Sequence, residues 1–498
     1  MNTEMTKRLL DAREYEAKHS GEIPLAKKPV YHMVPPIGWM NDPNGFSMYQ
    51  GMCHLFFQYH PYNTFWGPMH WGHYTTKDFV SWEMLPCALA PDMDYDKDGC
   101  FSGSAVESEQ EHILMYTGVK EFEDENGNHC VRQRQCIAVG DGTEYHKSEK
   151  NPVISADKLP KGSDVSDFRD PRIWKDEDGY WAVVGSRNEK GFGQIALFHA
   201  TDITSWEYVS ILDENDGRYG EMWECPDFFP LDGHYALIVS PQFMQGDENG
   251  FPSGNHTLYF VGEYDKKTHR FHRDKAQMLD WGMDFYAAQT VCAPDGRRIM
   301  IAWLQNWDTR LTPDEYRWSG MMTFPRTLSI SPSNPQKILQ WPVREIQNYY
   351  NNQFSLKSFL LSCTDGEKEV PSVSGRVIDL SVDVDLKEST EFSIAVAANE
   401  RYRTTICYDR ATKKLTVNRS RSGMKKDFIA ERGMAVEEDN GHLKLRILLD
   451  RNSIELFAND GECVMTNAIY TDPDAQQILW YADQDVSMDL EMHHIRKS

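Results

Sequence analysis

The chain is predicted to be all-β, a five-bladed β-propeller followed by a C-terminal antiparallel β-sandwich. Two patterns predict this: a strand-and-turn unit that recurs five times, and its replacement beyond about residue 355 by strands of alternating polarity. In each unit a Gly or acidic turn position leads into a short apolar or alternating run. The runs begin at Gly51, Glu111, Gly179, Gly233 and Gly296, so successive starts lie 54 to 68 residues apart. Turn chemistry followed by β-branched and aromatic residues reads as the middle of a β-hairpin. Several strands per unit at that period suggest propeller blades. A second echo agrees: a D-x-x-S-W-E core recurs at Asp78–Glu83 and Asp202–Glu207, about two periods apart.

Residues 1–30 form an N-terminal extension. Its first twenty residues carry Leu9, Leu10 and mixed charges with no Gly or Pro before Gly21, which predicts a short surface helix. They contain no apolar run of the kind a secretory signal or membrane anchor needs. The blades are assigned to residues 31–345, and the polar stretch 346–354 is expected to be a linker. In 355–498, Leu443, Leu445, Ile447 and Leu449 alternate with polar residues, as on a strand with one buried face. Asn459-Asp460-Gly461 follows the apolar run Ile454–Phe457 and fits a hairpin turn. The sandwich is read as support for the propeller, with sugar binding or a homo-oligomer contact as the alternatives.

At 498 residues, 40% hydrophobic and 12% aromatic, the chain is globular and too long for one ordinary core. A formal net charge of -24 argues against nucleic acid and against anionic membrane surfaces as partners. The ten cysteines are scattered, with no CxxC pair and no zinc-ligand spacing. Free thiols point to a reducing compartment, and the cytoplasm is expected. Asp94, Asp96, Asp98 and Gly99 echo the opening of a calcium-binding loop. Ala105 stands where that loop needs a bidentate Glu, so an exposed acidic loop is expected instead. Neither a metal nor a cofactor is expected.

Nine residues before each hairpin start lie Asp42, Ser102, Asp170, Glu224 and Ala287. If the units are blades, these positions share one phase on the innermost strands and converge on the axis. Three of them are carboxylates. An isolated Asp-Pro is usually a turn residue, but like charges gathered at one depth repel, and folding tolerates that where it is useful. The inventory suits a retaining glycosidase, which needs a nucleophilic carboxylate and a carboxylic acid roughly 5 Å apart across the scissile bond. A third carboxylate can hold sugar hydroxyls and oppose developing positive charge. Trp39, Trp66, Phe101, Tyr286 and Trp307 are candidates for an apolar platform under the sugar, and Asn41, Gln58, Ser102 and Arg169 for hydroxyl-directed hydrogen bonds. Trp39 and Trp66 could equally pack between blades.

The motifs W-M-N-D-P-N-G (Trp39–Gly45), F-R-D-P (Phe168–Pro171) and E-C-P-D (Glu224–Asp227) resemble the three signatures of glycoside hydrolase family 32. That family includes invertases, sucrose-6-phosphate hydrolases and exo-fructanases. F-S-G-S-A (Phe101–Ala105), D-F-Y-A-A-Q-T (Asp284–Thr290) and W-S-G-M-M-T-F-P-R (Trp318–Arg326) extend the resemblance, which covers nearly everything after residue 30. It implies a five-bladed propeller with a β-sandwich and hydrolysis of terminal β-fructofuranosyl residues. It further implies Asp42 as nucleophile, Glu224 as acid/base and Asp170 as transition-state stabiliser. Arg169 would fix sugar hydroxyls beside Asp170, and Asn41, Gln58, Trp66, Phe101 and Ser102 would line the fructose subsite. Tyr286 and Trp307 match with looser spacing. A fructosyltransferase or exo-fructanase on the same site, an inverting arabinanase-like enzyme and a non-catalytic sugar-binding propeller are the competing readings. A phosphorylated substrate would need a cation near the outer subsite, for which Arg132, Arg134, Arg310 and Arg317 are available.

Overall fold

The computed structural model describes residues 5–496 apart from 110, 248–249, 310–311 and 424–428. Five sheets, antiparallel but for one short parallel pairing in the first, follow one another along the chain. Their innermost strands are Gly38–Tyr49, Gly99–Ser108, Phe168–Asp176, Trp223–Leu231 and Tyr286–Cys292. The second strands begin at Met52, Glu111, Gly179, His234 and Arg298, at or just after the expected turn positions. Each innermost strand packs beside the next, and the fifth beside the first, so the ring is closed.

Closure has a local cause in the stretch Trp318–Arg326. Trp318 and Ser319 pair in parallel with Gly38 and Trp39 of blade 1, whereas Met321 and Met322 pair with Leu304 and Trp303 of blade 5. Between them Gly320 has φ +84°, and a Cβ there would lie 1.9 Å from the Met40 carbonyl oxygen. Only glycine lets the two blades close to this distance.

The remaining chain forms two six-stranded antiparallel sheets, 350–361 with 486–495, 378–385, 442–450, 453–458 and 463–468, and 368–374 with 477–482, 391–398, 403–409, 414–421 and 431–435. Side chains such as Ile394, Ile406, Ile447 and Trp480 fill the space between them. Asn459, Asp460 and Gly461 make the expected turn, all three with positive φ.

Two expectations are corrected. The linker is the short 3-10 segment Arg344–Tyr349 and not 346–354, because Tyr350–Leu361 is already a sandwich strand paired with Val486–Ile495. The strand His442–Asp450 is buried on both faces: Leu445, Ile447 and Leu449 enter the sandwich core, while Leu448 packs with Phe457 into a propeller cluster that includes Met40 and Phe46.

Charged groups cross the same joint. His32 bridges Asp450 (Nδ1, 3.0 Å) and Glu455 (Nε2, 2.8 Å), and Arg326 links Glu455 (Nε, 3.0 Å) to Asp280 (Nη1, 2.9 Å). All five side chains are fully buried. Removing one partner would strand an uncompensated charge in the interior, which explains why the closure motif ends in arginine. The expected surface helix is present at Lys7–His19. Thr6 caps its start, and Glu16 accepts from the Cys87 amide on blade 1 (3.1 Å).

Candidate active site

A single irregularity repeats around the axis. Met40 pairs with Tyr59 but Pro43 with Phe57, Phe101 with Thr117 but Gly103 with Tyr116, and Arg169 with Gly185 but Arg172 with Val183. Likewise Glu224 pairs with Ser240 but Asp227 with Ile238, and Tyr286 with Trp303 but Gln289 with Ile301. Every innermost strand therefore carries one extra residue at the shared phase. Bulges of this kind turn a side chain out of the pleat, and three of the prolines expected near the acids sit in them without interrupting a ladder. Asp170, Cys225 and Ala287 there have positive φ of 65°, 49° and 55°.

The bulges bring the three acids into one buried network. Asp42 accepts from Asn41 Nδ2 at Oδ1 (3.0 Å) and from Ser102 Oγ at Oδ2 (2.6 Å). The Cys225 thiol lies 3.6 Å from Asp42 Oδ2 and equally 3.6 Å from Asp170 Oδ2, and the Cys225 amide donates to that same Asp170 oxygen (2.9 Å). Glu224 accepts from Arg169 Nε (2.9 Å) and from the Tyr286 hydroxyl (2.7 Å). Arg169 also reaches Asp167, Gln133 (3.2 Å) and Gln242 (3.4 Å), so its guanidinium is held on several sides.

The other expected residues surround these acids. The Trp39 indole donates to Asn41 (2.8 Å) and stacks on Trp307 at 6.4 Å, with Trp303 completing the group. Trp39 thus packs against two other indoles and also touches Asn41, the neighbour of Asp42. Trp66 meets Phe101 edge-on at 5.7 Å, and it and Trp307 are exposed by 47% and 38%, leaving faces for a ligand. Gln58 donates across the gap to the Cys100 carbonyl (3.0 Å). Beyond the acids the axis is bridged by Gln289, which accepts from the Phe46 amide (2.7 Å) and donates to the Gly103 carbonyl (3.1 Å), and by Asn44, which accepts from the Gly103 amide (3.1 Å).

Sequence reasoning passed over several of these groups. Cys225 stood inside a quoted motif but offered no chemistry until its thiol was seen between two acids. Thr117, which accepts from the Asp170 amide (3.0 Å), and Gln133 lie in blade 2 far from any motif. Strand alternation settles two of the cation candidates. With Gln133 on Arg169, Arg132 and Arg134 point to the opposite face, where Arg132 covers Phe122. Arg317 is ion-paired with Glu22, and Arg310 lies outside the described residues. The acidic loop is also corrected: Asp96 is buried, 2.6 Å from Lys147, which it shares with Asp92.

Burial pushes the Asp42 carboxyl up to about 6, with the charge of Glu224 adding to the effect and Ser102 opposing it. Burial and the Glu224 charge also raise Asp170, against the pull of Arg169. Burial, with Asp170 and Asp42 beside it, keeps Cys225 a thiol, and burial beside Glu224 keeps Tyr286 a phenol. Both therefore act as donors to carboxylates. A reaction that needs ionised Asp42 should lose kcat/KM on the acid side with an apparent pKa near 6. Ser102→Ala, which removes a hydrogen bond favouring the ionised form, should move that limb upward. A pH–rate profile in which the limb stays or falls would count against this role.

The Glycosyl hydrolases family 32 N-terminal domain profile matches residues 32–342, and the Glycosyl hydrolases family 32 C terminal profile matches 345–495. Sucrose-6-phosphate hydrolase of Escherichia coli is 35% identical over 468 residues, covering 92% of this chain and 93% of that protein. Raffinose invertase of Escherichia coli is 33% identical, covering 91% and 92%. Among solved structures, a variant β-fructofuranosidase of Bombyx mori in complex with sucrose superposes with a TM-score of 0.83 at 32% identity, covering 99% of both chains. Sucrose-6-phosphate hydrolase from Lactobacillus gasseri gives 0.84 at 27% identity, covering 98% and 96%. A propeller with this carboxylate centre and these relatives is a glycoside hydrolase. Within that class, the chain belongs to glycosyl hydrolase family 32.

Proposed function

We propose that the chain is a retaining β-fructofuranosidase that releases the terminal fructosyl unit of sucrose and sucrose 6-phosphate. The observation carrying this reading is the meeting of Asp42, Asp170 and Glu224, the first two sharing the Cys225 thiol and the last two flanking Arg169. Asp42 attacks the anomeric carbon as the glycosidic bond breaks, and Glu224 gives its proton to the departing oxygen. Water then attacks the same carbon, passes its proton to Glu224 and frees Asp42. Asp170 opposes the positive charge that develops on the ring, and Arg169 orients the hydroxyls beside it. Hydrogen bonds from Gln289 and Asn44 close the axis beyond the acids, which favours a substrate end entering from the opposite side and so supports exo-cleavage. The ten free cysteines support a reducing compartment, and the cytoplasm is our assignment.

Two displacements at the anomeric carbon preserve its configuration. NMR of the first-released fructose should show the β-anomer, and initial α-fructose would establish inversion and refute the mechanism. Comparing kcat/KM on sucrose, sucrose 6-phosphate, short fructo-oligosaccharides and inulin should place the first two highest. A clear preference for inulin would make the chain an exo-fructanase.

A further inference from the structure

A cavity of about 700 Å³ opens between blades 3 and 4, at the ends of their innermost strands remote from the acids. Aromatic rings from both blades form its walls. Trp174 and Trp181, a cross-strand pair in blade 3, lie 6.4 Å apart with their planes 14° from parallel. On blade 4, Phe228 and Tyr235 stack at 5.1 Å and 19°, with Tyr264 edge-on to Phe228 at 5.3 Å. None of these rings is used by the catalytic network.

Arg298 enters from blade 5 over Phe229, 4.7 Å from the ring centroid. Its guanidinium makes no hydrogen bond or ion pair among the described residues. The neighbouring carboxylate, Asp227, is already held by Arg172 (2.9 Å) and by the Thr290 amide (2.6 Å). A half-buried guanidinium with unmatched donors favours an acceptor brought from outside. The charge around it identifies that acceptor. Of the four Arg and Lys side chains on the walls, Arg172 is paired with Asp227, and Arg298, Lys175 and Lys266 are offset by Asp176, Glu177 and Asp178; the whole chain carries -24. An anion therefore gains nothing here, whereas a neutral polyol can use both the donors and the carboxylates. Trp174, Tyr235 and Tyr264, partly buried where Trp181 and Phe228 belong to the core, add surface for the C–H side of a sugar ring, and the volume falls within the roughly 300–1,000 Å³ of small-molecule sites.

We infer that this cavity is a second, non-catalytic saccharide site that takes a neutral oligosaccharide. The inference draws on the fructosidase reading only for its probes. Its test is affinity electrophoresis of the Asp42→Asn chain through gels containing levan, inulin or soluble starch, with saturating free fructose occupying the catalytic site. At least one polymer should retard the chain. In that background Trp174→Ala should weaken retention about three- to tenfold, the loss expected for one ring stack, and Arg298→Gln about tenfold or more, the loss expected for one charged hydrogen bond. In the otherwise unchanged chain, Arg298→Gln should hydrolyse sucrose with kcat/KM within about twofold of the parent, which separates loss of the site from loss of the fold. Retention abolished by fructose, retention equal in both variants, or passage unretarded by all three polymers would overturn the proposal. Failure of the parent to cleave sucrose would refute the fructosidase reading and leave this result standing.

Discussion

Asp42→Asn is expected to lower kcat on sucrose by roughly 10⁴-fold or more, as loss of a nucleophile does in other covalent mechanisms. The substitution keeps the side chain's shape, and an amide oxygen can still accept from Ser102, so the fold survives. Stability should change in the opposite direction from activity. The folded-state pKa of Asp42 is raised from 3.8 to about 6 by burial and by Glu224. The site's relative stability is therefore full below about 3.8 and is lost as pH rises through about 6. The Asn variant should melt above the parent at pH 8, by at most about 3 kcal/mol, and the gain should fade toward pH 4. Near-normal sucrose turnover by this variant would remove Asp42 from the mechanism. A variant melting below the parent at pH 8 would refute the electrostatic argument.

Glu224→Ala is expected to slow sucrose cleavage roughly 10²- to 10⁴-fold, the range of general acid–base catalysis. Its signature is dependence on the leaving group. An aryl β-fructofuranoside, whose phenolate departs without a proton, should still form the covalent intermediate and release phenol in a burst. Azide should then restore turnover by entering the space vacated by the carboxylate, giving fructosyl azide with retained configuration. Equal losses on sucrose and on the aryl substrate, with no azide effect, would assign Glu224 a binding role. Loss of the contacts from Arg169 and Tyr286 could also disturb the pocket, so unchanged fructose affinity is the accompanying control.

The convergence of the acids was legible because five hairpins in one phase define an axis, and residues of equal phase must meet there. The mechanism of convergence was not. A bulge leaves little trace in sequence beyond a proline such as Pro171 or Pro226, and Ser102 and Ala287 have none beside them. The start of the strand Tyr350–Leu361 falls within the expected linker because the strand lies at a sheet edge with most of its side chains in solvent, so it has little reason to alternate. The second buried face of His442–Asp450 was hidden for the opposite reason. Arg446, which points toward the propeller and ion-pairs with Asp379 at 2.7 Å, looks polar in sequence but is buried. Asp96 misled similarly: an acid in a D-x-D-x-D run resembles a solvated loop until a lysine fifty residues away is brought beneath it.

The repeated extra residue on each innermost strand makes the backbone, and not rotamer choice, the aiming device of this centre. Where φ is positive at Asp170 and Cys225, the main chain has little slack with which to retract a misdirected group. Each seat around the axis consequently specifies direction, and its occupant supplies only length and charge. A longer acid at position 42 or 170 would act as a lever of the wrong length on a fixed pivot. A substitution in an outer strand, several sheet spacings from that pivot, moves the tip very little.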